Sequence, residues 1–444
     1  MRGINKFFSF IGLTAILTLN FSIISAINFY KDNLNCDSVY MVNFNSGMPV
    51  VEKNISKRRS PASLTKIMTF IVVYENSENR DNTKVLITKE ILDNVDPESS
   101  GSKLKEGESI SITDLLHCMM ISSSGYCAQA LANYIGGGDA QKFVSMMNEK
   151  ALSLECENTH FENPDGIYNE NQYTTAADMY KITKYSMSNP EFLNIVSKSE
   201  YTMFGDERDP VITTNHMIDK KRGGKYYCPW VKGIKTGYVN EAGRCLVSYA
   251  SKDGKTYVTV AMGGPTKDSE GNAISDNMAM IDTLALYNWA YENLKNITVC
   301  TRYEPLVQTG LKFVWGKDNI FLSSNQDVSI IVPKEASKDN ISLKYNVPEE
   351  IASPVKKDDL LGDAEIFYEG EKIKSIPLCS SQDFKKSYLL VAFDFLRKVF
   401  TSKIFIFSLC AFSAILILYI LYVIKYNMKM KRKNKVIKLS KFKK

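Results

Sequence analysis

A chain of 444 residues, 44% hydrophobic and 23% charged, has room for two globular domains with appendages and is too apolar for wholesale disorder. Its net charge of +6 comes from one end: residues 425–444 hold ten Lys or Arg and no Asp or Glu, and the other 45 cations face 49 acids. Such a balance argues against a nucleic-acid surface.

At the N-terminus, Arg2 and Lys6 precede uncharged residues 7–26, which end in the small pair Ser25 and Ala26. That is an export signal over 1–26, either cleaved or kept as an anchor helix. From Ser38, two alternating runs joined by NSGMP predict a hairpin. Pro61 and Ser63 then open a helix whose apolar residues recur through Val73. In SITDLLHCMMISSSGYCAQALANYIGGG two helical stretches flank a serine-glycine turn, and glycines end the second. Residues 175–199 add helix broken at Pro190. Then the period changes. CPWVKGIKTGYVNEAGRCLVSYASKDGKTYVTVAMGGP reads as antiparallel strands joined by tight turns, and a helix, NMAMIDTLALYNWAYENL, closes the region near Lys295. From about Thr301 to Pro377 only strand-like runs remain, so a domain boundary is placed at residues 299–302.

Residues 404–424 carry no charge, and their 21 positions at about 1.5 Å each span a hydrocarbon core of about 30 Å. The basic tail, 425–444, is cytoplasmic by the positive-inside rule, which leaves about Ile27 to Thr401 outside. Before the span, within a juxtamembrane linker of 379–403, FKKSYLLVAFDFLRKVF reads either as a segment lying along the bilayer or as a plain tether. Eight cysteines lie outside, and their pairing is not legible. His117, His160 and His216 are far apart and no CxxC occurs, so no metal site and no other cofactor is expected.

Ser63 and Lys66 in SLTK are three apart, which puts both side chains on one helical face within hydrogen-bonding reach. A lysine can deprotonate a hydroxyl once burial or a neighbouring cation lowers its proton affinity. Lys235, Thr236 and Gly237 form KTG on a predicted strand, where a cation and a hydroxyl can hold a carboxylate and the glycine lets substrate approach. Each string alone is common. Together, in this order around a serine turn, they match a known active-serine set.

The chain resembles the D-alanyl-D-alanine carboxypeptidases, the low-molecular-mass penicillin-binding proteins of serine peptidase family S11. The blocks that carry the likeness are PASLTKIMT, NPDGIYNENQYTTAADM, VKGIKTGYVNEAGRCL and SPVKKDDLLGDAEIFYEGEKIKSIPL. The resemblance implies an α+β fold: a penicillin-recognising, β-lactamase-like domain over 36–298, an antiparallel sheet flanked by helices, followed by a β-rich domain over 302–378. It implies Ser63 as nucleophile and Lys66 as its base, with Lys235 favouring the neutral form of Lys66. Lys235 and Thr236 would hold the terminal carboxylate beside Gly237, the third substrate-binding residue, and the backbone N–H groups of Ser63 and Tyr238 would form the oxyanion hole. The substrate would be a peptidoglycan stem peptide ending in D-Ala-D-Ala, and β-lactams would acylate the same serine.

Register against ALANYIGG puts Ser123 on the family's motif serine and Gly125 where its asparagine stands, with Ser124 as the alternative serine. A missing buried amide costs about 1–3 kcal/mol, or about five- to 150-fold in rate. The expectation is a slower enzyme that Gly125→Asn would accelerate. Two other readings stay open: a β-lactamase, which lacks a convincing deacylation loop here, and a catalytically weak wall-binding scaffold. His216 is expected to be structural or cleft-lining, Asp165 is assigned no chemistry, and Asp178 is expected to be a hydrogen-bond partner beside its helix.

Overall fold

The computed structural model describes residues 33–97, 99–101, 103–203 and 209–441. The predicted export signal lies outside them, as does the last part of the basic tail. The chain divides into two compact units, Met1–Val299 with Val328–Ile341 and Glu369–Glu371, and the remainder from Cys300 onward.

The first unit is built on a five-stranded antiparallel sheet. Its strands are β1 (Ser38–Asn43), β2 (Met48–Lys53), β3 (Val231–Val239), β4 (Gly243–Lys252) and β5 (Lys255–Gly264), in the order β2-β1-β5-β4-β3. Tight turns at 44–47, 240–242 and 253–254 set the hairpins, as the Gly, Asn and Asp content of those stretches dictates. Strand β5 is buried on both faces: Val258, Val260 and Met262 join the main core, whereas Tyr257 meets Tyr291 edge to face at 5.2 Å. Strand β3 lies at the sheet edge, with Lys235 opposite Val247 and Tyr238 opposite Arg244 on β4.

Helix α1 (Lys66–Glu75) runs through the core: every residue from Lys66 to Val73 is buried, the burial of a helix that is apolar nearly all round. Ser63 lies just before it, in a 3₁₀ turn over Ala62–Thr65, and not inside the helix as its sequence suggests. The i, i+3 partners still eclipse in that tighter geometry. Helices α2 (Ile112–Ile121) and α3 (Gly125–Gly136) flank the serine turn. Ser124 caps α3 by accepting the Cys127 N–H at 3.3 Å, and Gly137 closes it in the left-handed region at φ +73°. Helices α4 (Ala140–Ser153), α5 (Ala176–Ser186) and α6 (Pro190–Val196) complete the helical side, and α7 (Met278–Asn293) packs on β4 and β5. Asp178 accepts from the N–H of Asn158 and the hydroxyl of Thr159, tying α5 to the preceding loop.

Strands β6 (Leu294–Cys300) and β9 (Val328–Pro333) pair with each other. That pairing draws residues 328–341 into the first unit, although the domain division read from sequence assigns them to the second. The second unit holds a mostly antiparallel six-stranded sheet of β7 (Val307–Lys312), β8 (Asn319–Ser323), β10 (Ile341–Asn346), β11 (Glu350–Ala352), β12 (Leu360–Tyr368) and β13 (Glu371–Ser380), ordered β10-β12-β13-β8-β7-β11. Helix α8 (Tyr388–Phe400) buries none of its residues. Helix α9 (Lys403–Lys441) contains the stretch Lys403–Arg432, among the described residues the one helix long and apolar enough to cross a membrane.

Candidate active site

The edge strand, the turn before α1 and the serine turn meet around a cavity of about 470 Å³. Ser63, Lys66, Ser123, Thr236, Gly237 and Tyr238 line it. Lys66 Nζ lies 3.0 Å from Ser63 Oγ and also donates to the backbone carbonyl of Asp165. The turn carrying Ser63 is strained: Ala62 is fully buried with φ +46°, a conformation that costs a residue with a Cβ on the order of 1–3 kcal/mol. The Asn163–Gly166 turn presses against it. A Cβ at Gly166, φ +88°, would stand 1.9 Å from the Ala62 carbonyl oxygen, so only glycine lets this turn deliver the Asp165 carbonyl to Lys66.

Burial pushes the Lys66 ammonium down to about 8, against the opposing pull of Asp165 and Cys127. Lys235, 1% exposed, is pushed well below the usual lysine range, first by burial and then by the charge of Lys66. The sequence reading credits Lys235 with lowering Lys66. Burial is the first cause of that lowering, and the repulsion between the two buried ammonium groups acts on both lysines.

Lys235 Nζ donates to the Thr236 carbonyl at 2.9 Å, and the Thr236 hydroxyl shares a 2.5 Å hydrogen bond with that of Thr214. Thr214 and Arg244 also line the cavity; the sequence offered no signal for either beyond their nearness to other blocks. Arg244 Nε is buried with no hydrogen-bond partner among the described residues, and its guanidinium carbon lies 5.7 Å from the Tyr238 ring centre. His216 is another wall residue, its ring 6.3 Å from that of Tyr226. Strand β3 passes close under the nucleophile: a Cβ on Gly237 would lie 3.1 Å from Ser63 N and 3.2 Å from Ala62 Cβ. Gly237→Ala is accordingly expected to fold yet to acylate about five- to 150-fold more slowly, the overpacking of about 1–3 kcal/mol falling on the backbone around Ser63. The second-order rate of labelling by a fluorescent penicillin measures it.

At the serine turn, Ser124 is spent on capping α3, whereas Ser123, φ +65°, lines the cavity. The loop 99–101 is seated on this turn: Gly125 N donates to Ser100 O at 3.0 Å, and Ser100 Oγ donates to Ser123 O at 3.2 Å. The buried Gly125 leaves no hole. A Cβ there would lie 2.6 Å from Ser99 Oγ and 3.2 Å from Asp165 Oδ2, two atoms that are themselves hydrogen-bonded at 3.2 Å. The niche that an asparagine needs is filled, which removes the physical basis for expecting Gly125→Asn to speed the enzyme.

Among the described residues no group of His, Cys, Asp or Glu could hold a metal. A serine hydrogen-bonded to a desolvated lysine, in a cleft bordered by the edge strand of an antiparallel sheet, is the arrangement that distinguishes the penicillin-recognising serine enzymes from hydrolases that rely on histidine. Residues 26–266 match the family described as D-alanyl-D-alanine carboxypeptidase, and residues 310–386 match the C-terminal domain of penicillin-binding protein 5. The first match spans more than half of the chain, and the protein belongs to that family, the S11 serine peptidases. It is 27% identical to the D-alanyl-D-alanine carboxypeptidase DacF of Bacillus subtilis, over 79% of this chain and 86% of that one. The D-alanyl-D-alanine carboxypeptidase of Streptomyces sp. strain K15 is 32% identical over 53% of this chain and 84% of its own length. Penicillin-binding protein 5 of Haemophilus influenzae shares the fold, with a TM-score of 0.69 and 24% identity over 80% of this chain and 98% of that structure.

Proposed function

We propose that this protein removes the terminal D-alanine from peptidoglycan stem peptides through an acyl-enzyme on Ser63. The observation that carries the reading is Ser63 hydrogen-bonded at 3.0 Å to a lysine held near 8 by burial. Neutral Lys66 takes the hydroxyl proton as Ser63 Oγ attacks the carbonyl carbon of the penultimate D-alanine. The negative oxygen that forms is received by the backbone N–H groups of Ser63 and Tyr238. The C–N bond then breaks, the proton passes to the departing D-alanine amine, with Ser123 as the relay, and water hydrolyses the ester. Lys235 and Thr236 receive the terminal carboxylate while Gly237 lets the substrate backbone approach, which makes a free C-terminus part of what is recognised. A β-lactam enters the same path, its ring opening in place of peptide cleavage. The apolar helix anchors the enzyme to the membrane, with both folded units outside and the basic tail inside.

Full-length, detergent-solubilised protein should release one free D-alanine from each peptide ending in D-Ala-D-Ala. After penicillin treatment, fragment masses should locate one adduct on Ser63. Fast multiple turnover of penicillin would point to a β-lactamase, and binding of muropeptides with no D-alanine released would point to a scaffold.

A further inference from the structure

The side chain that the serine turn lacks is replaced in space by two groups from distant parts of the chain. Ser99 Oγ and Cβ would stand 2.6 and 2.8 Å from a Cβ on Gly125, and Asp165 Oδ2 would stand 3.2 Å away. Both Ser99 and Asp165 line the catalytic cavity. Gly125 has helical backbone, so glycine is required there by crowding and not by conformation. The loop that brings Ser99 is fixed in register: a Cβ on Gly101, φ +88°, would meet Ser124 Cα at 2.5 Å, and the Gly125 and Ser100 hydrogen bonds hold it from either side.

We propose that Ser99 and Asp165 together do the work of the motif asparagine: the Ser99 hydroxyl contacts the substrate backbone, and Asp165 positions Lys66. The proposal rests on Ser63 and Lys66 being the acylating pair. Asp165 reaches Lys66 through its backbone carbonyl, which accepts from Nζ, and the charge of its carboxylate favours the protonated lysine. That carboxylate is 2% exposed and accepts from Ser99 Oγ and, at 3.4 Å, from Ile167 N. An asparagine amide would orient the lysine but bring no charge. A carboxylate also opposes the loss of the lysine's proton, so it tunes the pH at which Lys66 becomes a base. The other ionisable groups facing Lys66 are Cys127 on α3 and Lys235 on β3, and neither changes in the variants below.

The test is an exchange. Gly125→Asn alone should acylate with a fluorescent penicillin at least about tenfold more slowly than wild type, because the new side chain meets Ser99. Adding Ser99→Gly should bring the rate back to within about threefold, the amide now standing where the hydroxyl stood. Ser99→Ala should raise KM for a D-Ala-D-Ala peptide about five- to tenfold with kcat little changed, the pattern of a contact made equally to substrate and transition state. Asp165→Asn should move the acidic limb of the acylation profile to lower pH. A Gly125→Asn enzyme as fast as wild type, a folded double variant no faster than the single one, or a limb unmoved by Asp165→Asn would each overturn the proposal. Should Gly125→Asn not fold, the Ser99→Ala constants and the Asp165→Asn profile decide it without that variant. Loss of wild-type labelling in Ser63→Ala tests the acylating pair separately, so a failed exchange in an enzyme that still labels at Ser63 counts against the substitution of roles alone.

Discussion

Ser63→Ala is expected to give a folded protein with no covalent penicillin adduct and D-alanine release reduced at least about 10⁴-fold. The two effects separate because Ser63 contributes little to the fold. It lies in a short 3₁₀ turn, and its side chain has the 3.0 Å contact with Lys66 as its main polar tie. Losing one such bond costs about 0.5–1.5 kcal/mol, and Lys66 keeps the Asp165 carbonyl as acceptor. Thermal unfolding should thus shift by only a few degrees while chemistry stops, since among the described residues Ser63 Oγ is the hydroxyl that the Lys66 amine is seen to hydrogen-bond. Thr65, its nearest hydroxyl-bearing neighbour, is buried and donates to the Ala62 carbonyl at 2.8 Å. Retained labelling in this variant would move the nucleophile elsewhere and sink the proposed mechanism. Denaturation midpoints beside gel fluorescence of the same preparations make the comparison.

What could be read in the sequence was what is local. SLTK and KTG each carry their chemistry within four residues, so their spacing alone predicts that the partners share a face or a strand. The serine turn was visible as a break between two helical patterns, and Ser124 was separable from Ser123 by the register of the helix that Ser124 caps. Strand β9 was recognisable as a strand but not as the partner of β6, because pairing across the 300–327 segment leaves no local trace. The same limit hid the site's polar wall. Ser99 and Asp165 reach Gly125 from 26 residues before it and 40 after it, and nothing in either local stretch says that its side chain meets Gly125. The sequence assigns Asp165 no chemistry, and the structure places it in a turn: Asn163 Oδ1 accepts the Gly166 N–H at 2.7 Å. The turn is also what carries Asp165 into the cavity. A missing motif residue therefore looked like a deficit in sequence, whereas in space its volume is occupied.

Replacing Lys66 by alanine is expected to cost about 10²–10⁴-fold in acylation, the range of a positioned general base, with Ser63 still present to react slowly. In the wild type, kcat/KM should rise with pH through about 8 and then level, because the competent form is the neutral amine and burial holds this lysine near that value. Lys66→Ala should remove that limb along with the rate. The sign follows from what is buried: desolvation disfavours the ammonium, so proton loss comes at lower pH than for an exposed lysine, and the base becomes available near neutrality. Lys235 sharpens the point. It too is driven toward the neutral form, by burial and by Lys66, yet the carboxylate of an arriving substrate favours its charged form. The pair then divides its roles, with a proton on Lys235 paired to substrate and Lys66 left as the neutral base. A peptide whose terminal carboxylate is amidated cannot supply that counter-charge, and its cleavage should fall by about tenfold or more, the loss expected when a charge-assisted pair of about 1.5–3 kcal/mol is removed. A flat profile between pH 6 and 9, or equal rates on free and amidated peptides, would contradict this division of labour.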